Sequence, residues 1–207
     1  MKAVKTVRNR VNFLAHIYLS GDDPEVQLGN FMADAVKGRD YKKLSPGMQR
    51  GILLHRFIDS YTDAHPVFRQ SKNRLHGKQF GHYTGVIMDM FYDHFLAANW
   101  TEFHHKSLDT FTSEFYQLIS KYKERTPERT QYLIPYMIEQ NWLMQYQSIE
   151  GLDLILRQMN RRTKGRSNMD QAAVELRKNY FAFEAEFYDF FITVQEQAAM
   201  ELNRLKS

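Results

Sequence analysis

The chain has 207 residues, no cysteine, and a hydrophobic fraction of 43% that includes 15 Phe and 12 Tyr. This much apolar surface suits a folded core and argues against disorder, and the missing cysteines exclude disulfides, a thiolate nucleophile and a cysteine zinc site. The net charge of +4 is carried by Lys2, Lys5, Arg8 and Arg10, so the neutral remainder is not a nucleic-acid binder by bulk charge.

The N-terminal segment is basic but lacks the other features of a signal peptide. No uninterrupted apolar stretch with a small-residue cleavage site follows it, and no apolar run in the chain approaches the ~20 residues of a membrane span. We therefore expect a cytoplasmic protein with neither a membrane nor a nucleic-acid partner. We also expect residues 1–10 to be a dispensable leader and residues 11–207 to form one domain.

Almost every segment has a helical pattern, and the alternating pattern of strands is missing. The start signals are an acidic or hydroxyl residue before proline, and the stop signals are glycine or the residue before proline. In chain order they predict helices over 11–19, from Asp22-Asp23-Pro24 to about Lys37, from Ser45-Pro46 to about Asp63, from Pro66 to about Leu75 with an end at Gly77, from about His82 to Asn99, over 104–124, from Thr126-Pro127 through 141–147, from Ser148 to about Arg162, and over 170–205. The expected fold class is all-α, a single compact helical domain of about eight helices.

A polar stripe follows the helix predicted to begin at Pro46. His55, Asp59 and Asp63 are spaced i, i+4, i+8, and each step of four residues turns a helix by about 40°. The three side chains therefore share one face beside apolar neighbours. Imidazole nitrogen and carboxylate oxygen are ligands that divalent cations prefer, so the stripe indicates a metal site.

A second helix repeats the pattern with Asp89 and Asp93, and His94 follows about 100° further around. These acids stand in a very apolar segment, where a carboxylate is costly to bury unless it is paired, hydrogen-bonded or bound to a metal. Asp34, in GNFMADAVKG, would be equally costly to bury, and His16, in NFLAH, also lies between apolar residues.

Each of these residues also has a structural interpretation. His16 can be a hydrogen-bonded core histidine and Asp34 a surface acid. Asp59 and Asp63 can pair with nearby arginines, and the acids of the second helix can be solvated if that helix is less buried than its neighbours indicate. Two helices that each offer carboxylates at i, i+4, with histidine nearby, favour the metal interpretation.

Four segments together resemble the signature of the acyl carrier protein phosphodiesterase family. They are NFLAH at 12–16, GNFMAD at 29–34, GILLHRFIDSYTDAHP at 51–66 and MDMFYDHFL at 88–96. The similar segments NWLMQYQ at 141–147 and MNRRT at 159–163 extend the resemblance over roughly residues 11–200. Val11 stands where family members usually begin with Met, and a valine codon can serve as a bacterial start. We therefore expect residues 1–10 to be absent from the native protein, which mass spectrometry of that protein would show.

The resemblance implies an all-α, HD-phosphohydrolase-like fold and a metal-dependent phosphodiesterase, typically with Mn²⁺, with Mg²⁺ or Fe²⁺ as alternatives. The implied reaction hydrolyses the phosphodiester of holo acyl carrier protein, releases its 4′-phosphopantetheine arm and returns the apo carrier. The positions that match the family's polar motifs are His16, Asp34, His55, Asp59, Asp63, Asp89, Asp93 and His94. The Asp93-His94 order reverses the doublet of HD enzymes, so HD roles do not transfer directly.

Within the matched positions we assign ligands and catalytic groups separately. The metal ligands or water-orienting groups are predicted to be Asp34, His55, Asp59 and Asp89. Among the predicted catalytic groups, Asp63 and Asp93 hold imidazoles or act as bases, and His94 or His16 is the general acid. Arg56 either touches the phosphate or forms a structural ion pair.

A basic docking face is expected because carrier proteins are acidic. Its predicted members are Lys37, Arg39, Lys42 and Lys43, together with Arg161, Arg162, Lys164 and Arg166 of the segment RRTKGR. A solvated loop is the alternative interpretation of that segment. Two other functions stay open, namely an HD-like hydrolase of a nucleotide or another phosphodiester, and a non-catalytic helical binding module.

Overall fold

A computed structural model describes residues 13–75 and 80–206, and all the regular structure within them is helical. The described α-helices are α1 (Phe13–Tyr18), α2 (Pro24–Met32), α3 (Pro46–Ala64), α4 (Pro66–Leu75), α5 (Thr84–Ala98), α6 (Trp100–Phe103), α7 (Leu108–Lys121), α8 (Glu128–Glu139), α9 (Trp142–Gln145), α10 (Ile149–Arg162), α11 (Ala172–Lys178) and α12 (Tyr180–Lys206). The all-α prediction is confirmed. The leader at residues 1–10, the start at Val11 and the helix end at Gly77 lie outside the described residues.

The described residues form more helices than the roughly eight predicted, because asparagine interrupts two of the predicted segments and the short α6 follows α5 as a separate helix. Asn141 takes a left-handed conformation (φ 47°, ψ 51°) between α8 and α9, which asparagine adopts more readily than most residues. Asn179 separates α11 from α12, and its side-chain amide donates to the Glu175 carbonyl oxygen. That bond competes with continuation of the helix.

The helix predicted to reach Lys37 ends earlier, and this changes where Asp34 lies. α2 stops at Met32, a 3₁₀ turn covers Ala33–Ala35, and Val36 is extended. The prediction of the start was correct, since Pro24 is the first residue of α2 and the Asp23 carboxylate accepts the amides of Glu25 and Val26. Asp34 therefore projects from a tight turn rather than from the α2 helix.

The pair α2 and α3 is in backbone contact through glycines. A Cβ on Gly29 would overlap the Met48 carbonyl oxygen, and a Cβ on Gly51 would overlap the Val26 carbonyl oxygen. Any larger residue would therefore force the two helices apart. Gly29 precedes Asn30 directly, and Gly51 lies one turn before His55 on α3, so this contact brings the polar side chains of the two helices together.

Helix α5 runs through the interior, where nearly all of its residues are buried. Helix α1 packs against α2 and α5, and α12 packs against α3, α4 and α5. The core is rich in aromatic side chains, and Phe68, Phe91, Phe95 and Phe187 are fully enclosed. Within the described ranges, no helix combines the length and apolar character that crossing a membrane requires.

Candidate metal centre

Asn30 holds two histidine rings in place at the α1–α2–α3 contact. Its Oδ1 lies 2.9 Å from the Nδ1 of His16 and 2.9 Å from the Nδ1 of His55. Its amide nitrogen donates to the His16 carbonyl oxygen at 3.0 Å and to Ser20 Oγ at 2.9 Å. A carbonyl can only accept, so the amide orientation is fixed and Oδ1 must face the rings. Both Nδ1 atoms are therefore donors, so each ring in its neutral form presents an Nε2 lone pair on the far side.

The two Nε2 atoms face carboxylates. His16 Nε2 lies 3.4 Å from Asp59 Oδ1, and His55 Nε2 lies 3.5 Å from Asp59 Oδ2 and 3.6 Å from Asp34 Oδ1. The rings stack with centroids 4.2 Å apart. Ligand atoms of His16, His55 and Asp59 lie within 4.8 Å of one another. The four side chains of His16, Asp34, His55 and Asp59 are called the His-Asp cluster below.

The chemistry of the His-Asp cluster fits a divalent cation. Lone pairs on two neutral imidazoles and negative carboxylate oxygens repel one another unless positive charge lies between them. Neither Nε2 has a hydrogen-bond partner among the described residues, and separations of 3.4–3.6 Å are long for hydrogen bonds. Two donor atoms bound to the same ion, each at about 2.1 Å from it, lie roughly 3.0–3.5 Å apart in common coordination geometries. The nitrogen and oxygen donors suit Mn²⁺, Fe²⁺ or Zn²⁺.

Burial favours the neutral form of His16, which is the form that binds a cation. The pKa of His16 is lowered, first by desolvation and then by the neighbouring His55, although Asp59 and Asp34 oppose the shift. Histidine must be deprotonated at the ligating nitrogen, so this environment favours the ligand form of His16 at neutral pH.

Asp93 holds α1 rather than facing the His-Asp cluster. It is fully buried, and its carboxylate accepts the backbone amides of Leu14 at 3.0 Å and Ala15 at 2.8 Å. Burial raises its pKa from 3.8 to about 8, the two amides oppose the shift, and the charge of Asp89 adds to it. Asp93 therefore caps the helix that carries His16.

Asp89 borders the His-Asp cluster without joining the group of donor atoms found within 4.8 Å among the described residues. It is 6% exposed and shares a small cavity with His16, Thr62 and Phe190. Its assignment as a metal ligand stays a prediction.

The remaining predicted catalytic groups lie around this centre. His94 is buried, with Nδ1 2.8 Å from the Tyr146 carbonyl oxygen and Nε2 3.3 Å from the Tyr180 hydroxyl, so it is engaged on another side of α5. Arg56 donates to the Val36 carbonyl oxygen at 3.2 Å and lies over the Tyr41 ring. Asp63 is half-buried on α3, one turn beyond Asp59.

A cleft of about 420 Å³ opens beside Asp34, whose side chain is 34% exposed. Helix α8 contributes Arg129 and two tyrosines, and the end of α10 contributes Arg162, which lies over the Trp142 ring. Asp34 therefore connects the buried histidines to an open, basic and aromatic surface.

The predicted docking residues are exposed and form two groups. Lys37 and Arg39 follow the turn that carries Asp34, and Lys43 pairs with Asp40 at 2.7 Å. The exposed members of the two groups are Lys37, Arg39, Lys42, Lys43, Arg161, Arg162, Lys164 and Arg166. Of these, Arg162 lines the cleft.

Sequence reasoning missed Asn30 and the cleft face of α8. Asn30 is fully buried in the apolar segment LGNFM, and a buried amide in such a segment signals a hydrogen-bonding role. Arg129, Tyr132 and Tyr136 are spaced i, i+3, i+7, a pattern that places three polar or amphipathic side chains on one helix face.

The protein is thus all-α, and its His-Asp cluster brings together imidazole nitrogens and carboxylate oxygens, which are donors that divalent cations prefer. A sequence profile described as acyl carrier protein phosphodiesterase matches residues 11–194. The chain belongs to the acyl carrier protein phosphodiesterase family, whose members are phosphoric diester hydrolases. The resemblance read from its motifs is confirmed.

Several curated proteins of that name are similar along nearly their whole length. The acyl carrier protein phosphodiesterase of Photorhabdus laumondii is 31% identical over 189 residues, which cover 91% of this chain and 95% of the relative. The corresponding protein of Serratia proteamaculans is 28% identical, with 91% and 97% covered, and that of Escherichia coli is 27% identical, with 91% and 98% covered. No solved structure matches the chain.

Proposed function

We propose that this protein hydrolyses the phosphodiester that joins 4′-phosphopantetheine to holo acyl carrier protein, with a divalent cation, first of all Mn²⁺, held by His16, His55, Asp59 and Asp34. The relatives' names supply the substrate, and the family supplies the reaction class. The observation that carries the metal part is the double contact of Asn30 Oδ1, which turns both Nε2 lone pairs towards carboxylates.

The chain's own residues divide the work by position. His16 and His55 form the buried part of the His-Asp cluster, Asp59 is half-buried, and Asp34 lies where the cluster meets the cleft. Substrate phosphate therefore approaches from the Asp34 side, where Arg129 and Arg162 attract its charge. When bound, a divalent cation supplies Lewis-acid chemistry, since it lowers the pKa of water and withdraws charge from a phosphoryl oxygen.

Supporting residues keep this geometry. Asn30 fixes the ring tautomers, and outer partners of this kind are worth about 10–100-fold in metal affinity. Asp93 acts as a positioning residue, because its bonds to Leu14 and Ala15 set the α1 helix that carries His16. Asp63, one turn beyond Asp59 on α3, is proposed to hold water for the attack on phosphorus.

The test is to incubate the manganese-loaded protein with holo acyl carrier protein and follow the mass of the carrier. We expect the carrier to lose the mass of the arm, and His55→Ala and Asp34→Ala to abolish the loss. His82→Ala, a histidine exposed on the surface, is the matched control and should behave like wild type. An unchanged carrier mass with metal-loaded, folded protein would contradict the proposal, and turnover of a model phosphodiester in the same sample would point to another diester substrate.

Metal dependence has its own readout. Treatment with a chelator should abolish release of the arm, and added Mn²⁺ should restore it. Electron paramagnetic resonance should detect bound Mn²⁺ in wild type and in His82→Ala, and a much weaker signal in His55→Ala. Equal Mn²⁺ binding by wild type and His55→Ala would place the cation elsewhere.

A further inference from the structure

The cleft beside Asp34 is built from parts of the chain that are far apart in sequence. Phe13 at the start of α1, Phe31 and Met32 at the end of α2, the α8 helix, Trp142 and Arg162 all line it. Its volume of about 420 Å³ falls within the range of roughly 300–1,000 Å³ that small-molecule sites occupy. A carrier protein surface needs roughly 800 Å² of contact per partner, so this cleft suits a slender ligand.

One face of α8 forms an aromatic wall of the cleft. Arg129, Tyr132, Leu133 and Tyr136 all line it, and their spacing of i, i+3, i+4, i+7 places them on one side of the helix. Tyr132 is 71% exposed and Tyr136 is 38% exposed, with ring centroids 5.3 Å apart. Tyrosine offers an apolar ring and a polar hydroxyl, which suits a ligand of alternating methylene and amide groups.

The charged groups of the cleft favour an anionic ligand. Two guanidinium groups, Arg129 and Arg162, line it together with one carboxylate, Asp34, among the described residues. The Arg162 guanidinium carbon lies 5.4 Å from the Trp142 ring centroid, and the indole Nε1 of Trp142 donates to Gln140 Oε1 at 2.9 Å. The ring thus supports the cation from below, which leaves its N–H groups available to phosphate oxygens.

We propose that this cleft is the binding site of the 4′-phosphopantetheine arm, with its phosphate beside Asp34 and the arginines and its uncharged pantetheine body along the α8 face. The inference rests on the proposed function, and it adds the subsite and the residues that recognise the arm. The arm combines one anionic end with an uncharged, amide-rich chain, which matches the arginines at Asp34 and the tyrosines of α8. The contact of the cleft with Asp34 places the phosphate next to the His-Asp cluster.

The test uses the free arm, so that no carrier protein and no turnover are needed. Free 4′-phosphopantetheine is titrated into the manganese-loaded protein by calorimetry, and the same titration is made with pantetheine, which lacks the phosphate. We expect Arg162→Ala to weaken binding of 4′-phosphopantetheine about tenfold and to leave pantetheine binding unchanged. Tyr132→Ala, a change at an exposed side chain that folding does not require, should weaken both ligands about fivefold.

Two control variants separate the cleft from general surface effects. Arg161→Ala removes an exposed arginine that is next to Arg162 in sequence but does not line the cleft. Phe181→Ala removes an aromatic side chain that is 83% exposed on α12. Both should bind the free arm within about twofold of wild type. Equal losses in Arg161→Ala and Arg162→Ala, or wild-type affinity in both cleft variants, would overturn the assignment.

The outcomes also separate this inference from the proposed function. With holo carrier protein, Tyr132→Ala should raise KM and leave kcat unchanged, because Tyr132 contributes to binding of the arm and is not one of the four side chains of the His-Asp cluster. A KM for holo carrier protein that matches wild type in both cleft variants would overturn the cleft assignment and leave the proposed function standing. Cleft-dependent binding of the free arm without any turnover of holo carrier would overturn the proposed function and leave the cleft assignment standing.

Discussion

Replacing Asn30 by leucine removes the one acceptor that both imidazoles share and keeps a side chain of similar size. The Nδ1–H groups of His16 and His55 would both lose their partner, since each is bonded to Asn30 Oδ1 at 2.9 Å. The His16 carbonyl oxygen would still accept from Ser20 Oγ at 2.8 Å. The change therefore leaves two buried donors without a partner.

The expected magnitude follows from these two donors. A buried donor left without a partner costs about 1–3 kcal/mol, so the free energy of unfolding of the metal-free protein should fall by about 2–6 kcal/mol. The rings are also free to turn, so Mn²⁺ affinity should fall about 10–100-fold. Urea unfolding in the presence of a chelator measures the first quantity, and calorimetric titration with Mn²⁺ measures the second.

Two further variants make this result decisive. Asn30→Asp keeps an oxygen between the two Nδ1–H groups, so we expect its Mn²⁺ affinity to stay within about tenfold of wild type even if the protein is less stable. Asn160→Leu removes the amide that bonds Asp170 and Ser167, outside the His-Asp cluster. It should lower stability without changing Mn²⁺ affinity. A folded Asn30→Leu protein that binds Mn²⁺ as wild type does would refute the reasoning.

Three other perturbations test the surroundings of the centre. Gly51→Ala places a methyl group against the Val26 carbonyl oxygen and 2.7 Å from the backbone nitrogen of Asn30. Thermal unfolding should therefore reveal a loss of stability of about 1–3 kcal/mol, and Mn²⁺ binding should weaken. Gly85→Ala, whose added Cβ has its nearest atom at 3.9 Å, should change neither quantity. Burial raises the pKa of Asp93 from 3.8 to about 8, so the contribution of Asp93 to the free energy of unfolding is full below about pH 4 and declines as pH rises towards 8. The stability difference between metal-free wild type and Asp93→Asn should therefore fall by up to about 1.4 kcal/mol per pH unit over this range. A difference that does not change with pH would show that the carboxyl is already ionised. Raising salt from about 0.05 to 0.5 M should raise KM for holo carrier protein and leave kcat unchanged, because salt screens charges on the exposed docking residues; an unchanged KM would count against a basic docking face.

The sequence predicted well those features that depend on local spacing. Proline after a hydroxyl or acidic residue marked the starts of α2 and α3, and the i, i+4 spacing of His55 and Asp59 placed both on one face of α3. The interrupted segments were harder, because a single asparagine can end a helix through its own backbone or side chain, and periodicity averages over such positions.

The roles within the polar set depend on tertiary contacts that spacing does not encode. Asp89 and Asp93 have the same spacing as His55 and Asp59, yet Asp93 binds amides 78 and 79 residues away in the chain. Such partners are decided by how α1 packs on α5. Spacing did not predict a role for Asn30, because its contact with both rings depends on how α1, α2 and α3 pack together.

The glycine contact between α2 and α3 also distinguishes the closely packed residues of the site from Asp34. With backbone against backbone at Gly29 and Gly51, the two helices have little room to shift, so their packing sets the positions of Asn30, His55 and Asp59. Asp34 hangs from the short turn beyond α2 and is the most exposed of the four. Helix packing thus positions Asn30, His55 and Asp59, whereas the position of Asp34 depends on a three-residue turn at the edge of the cleft.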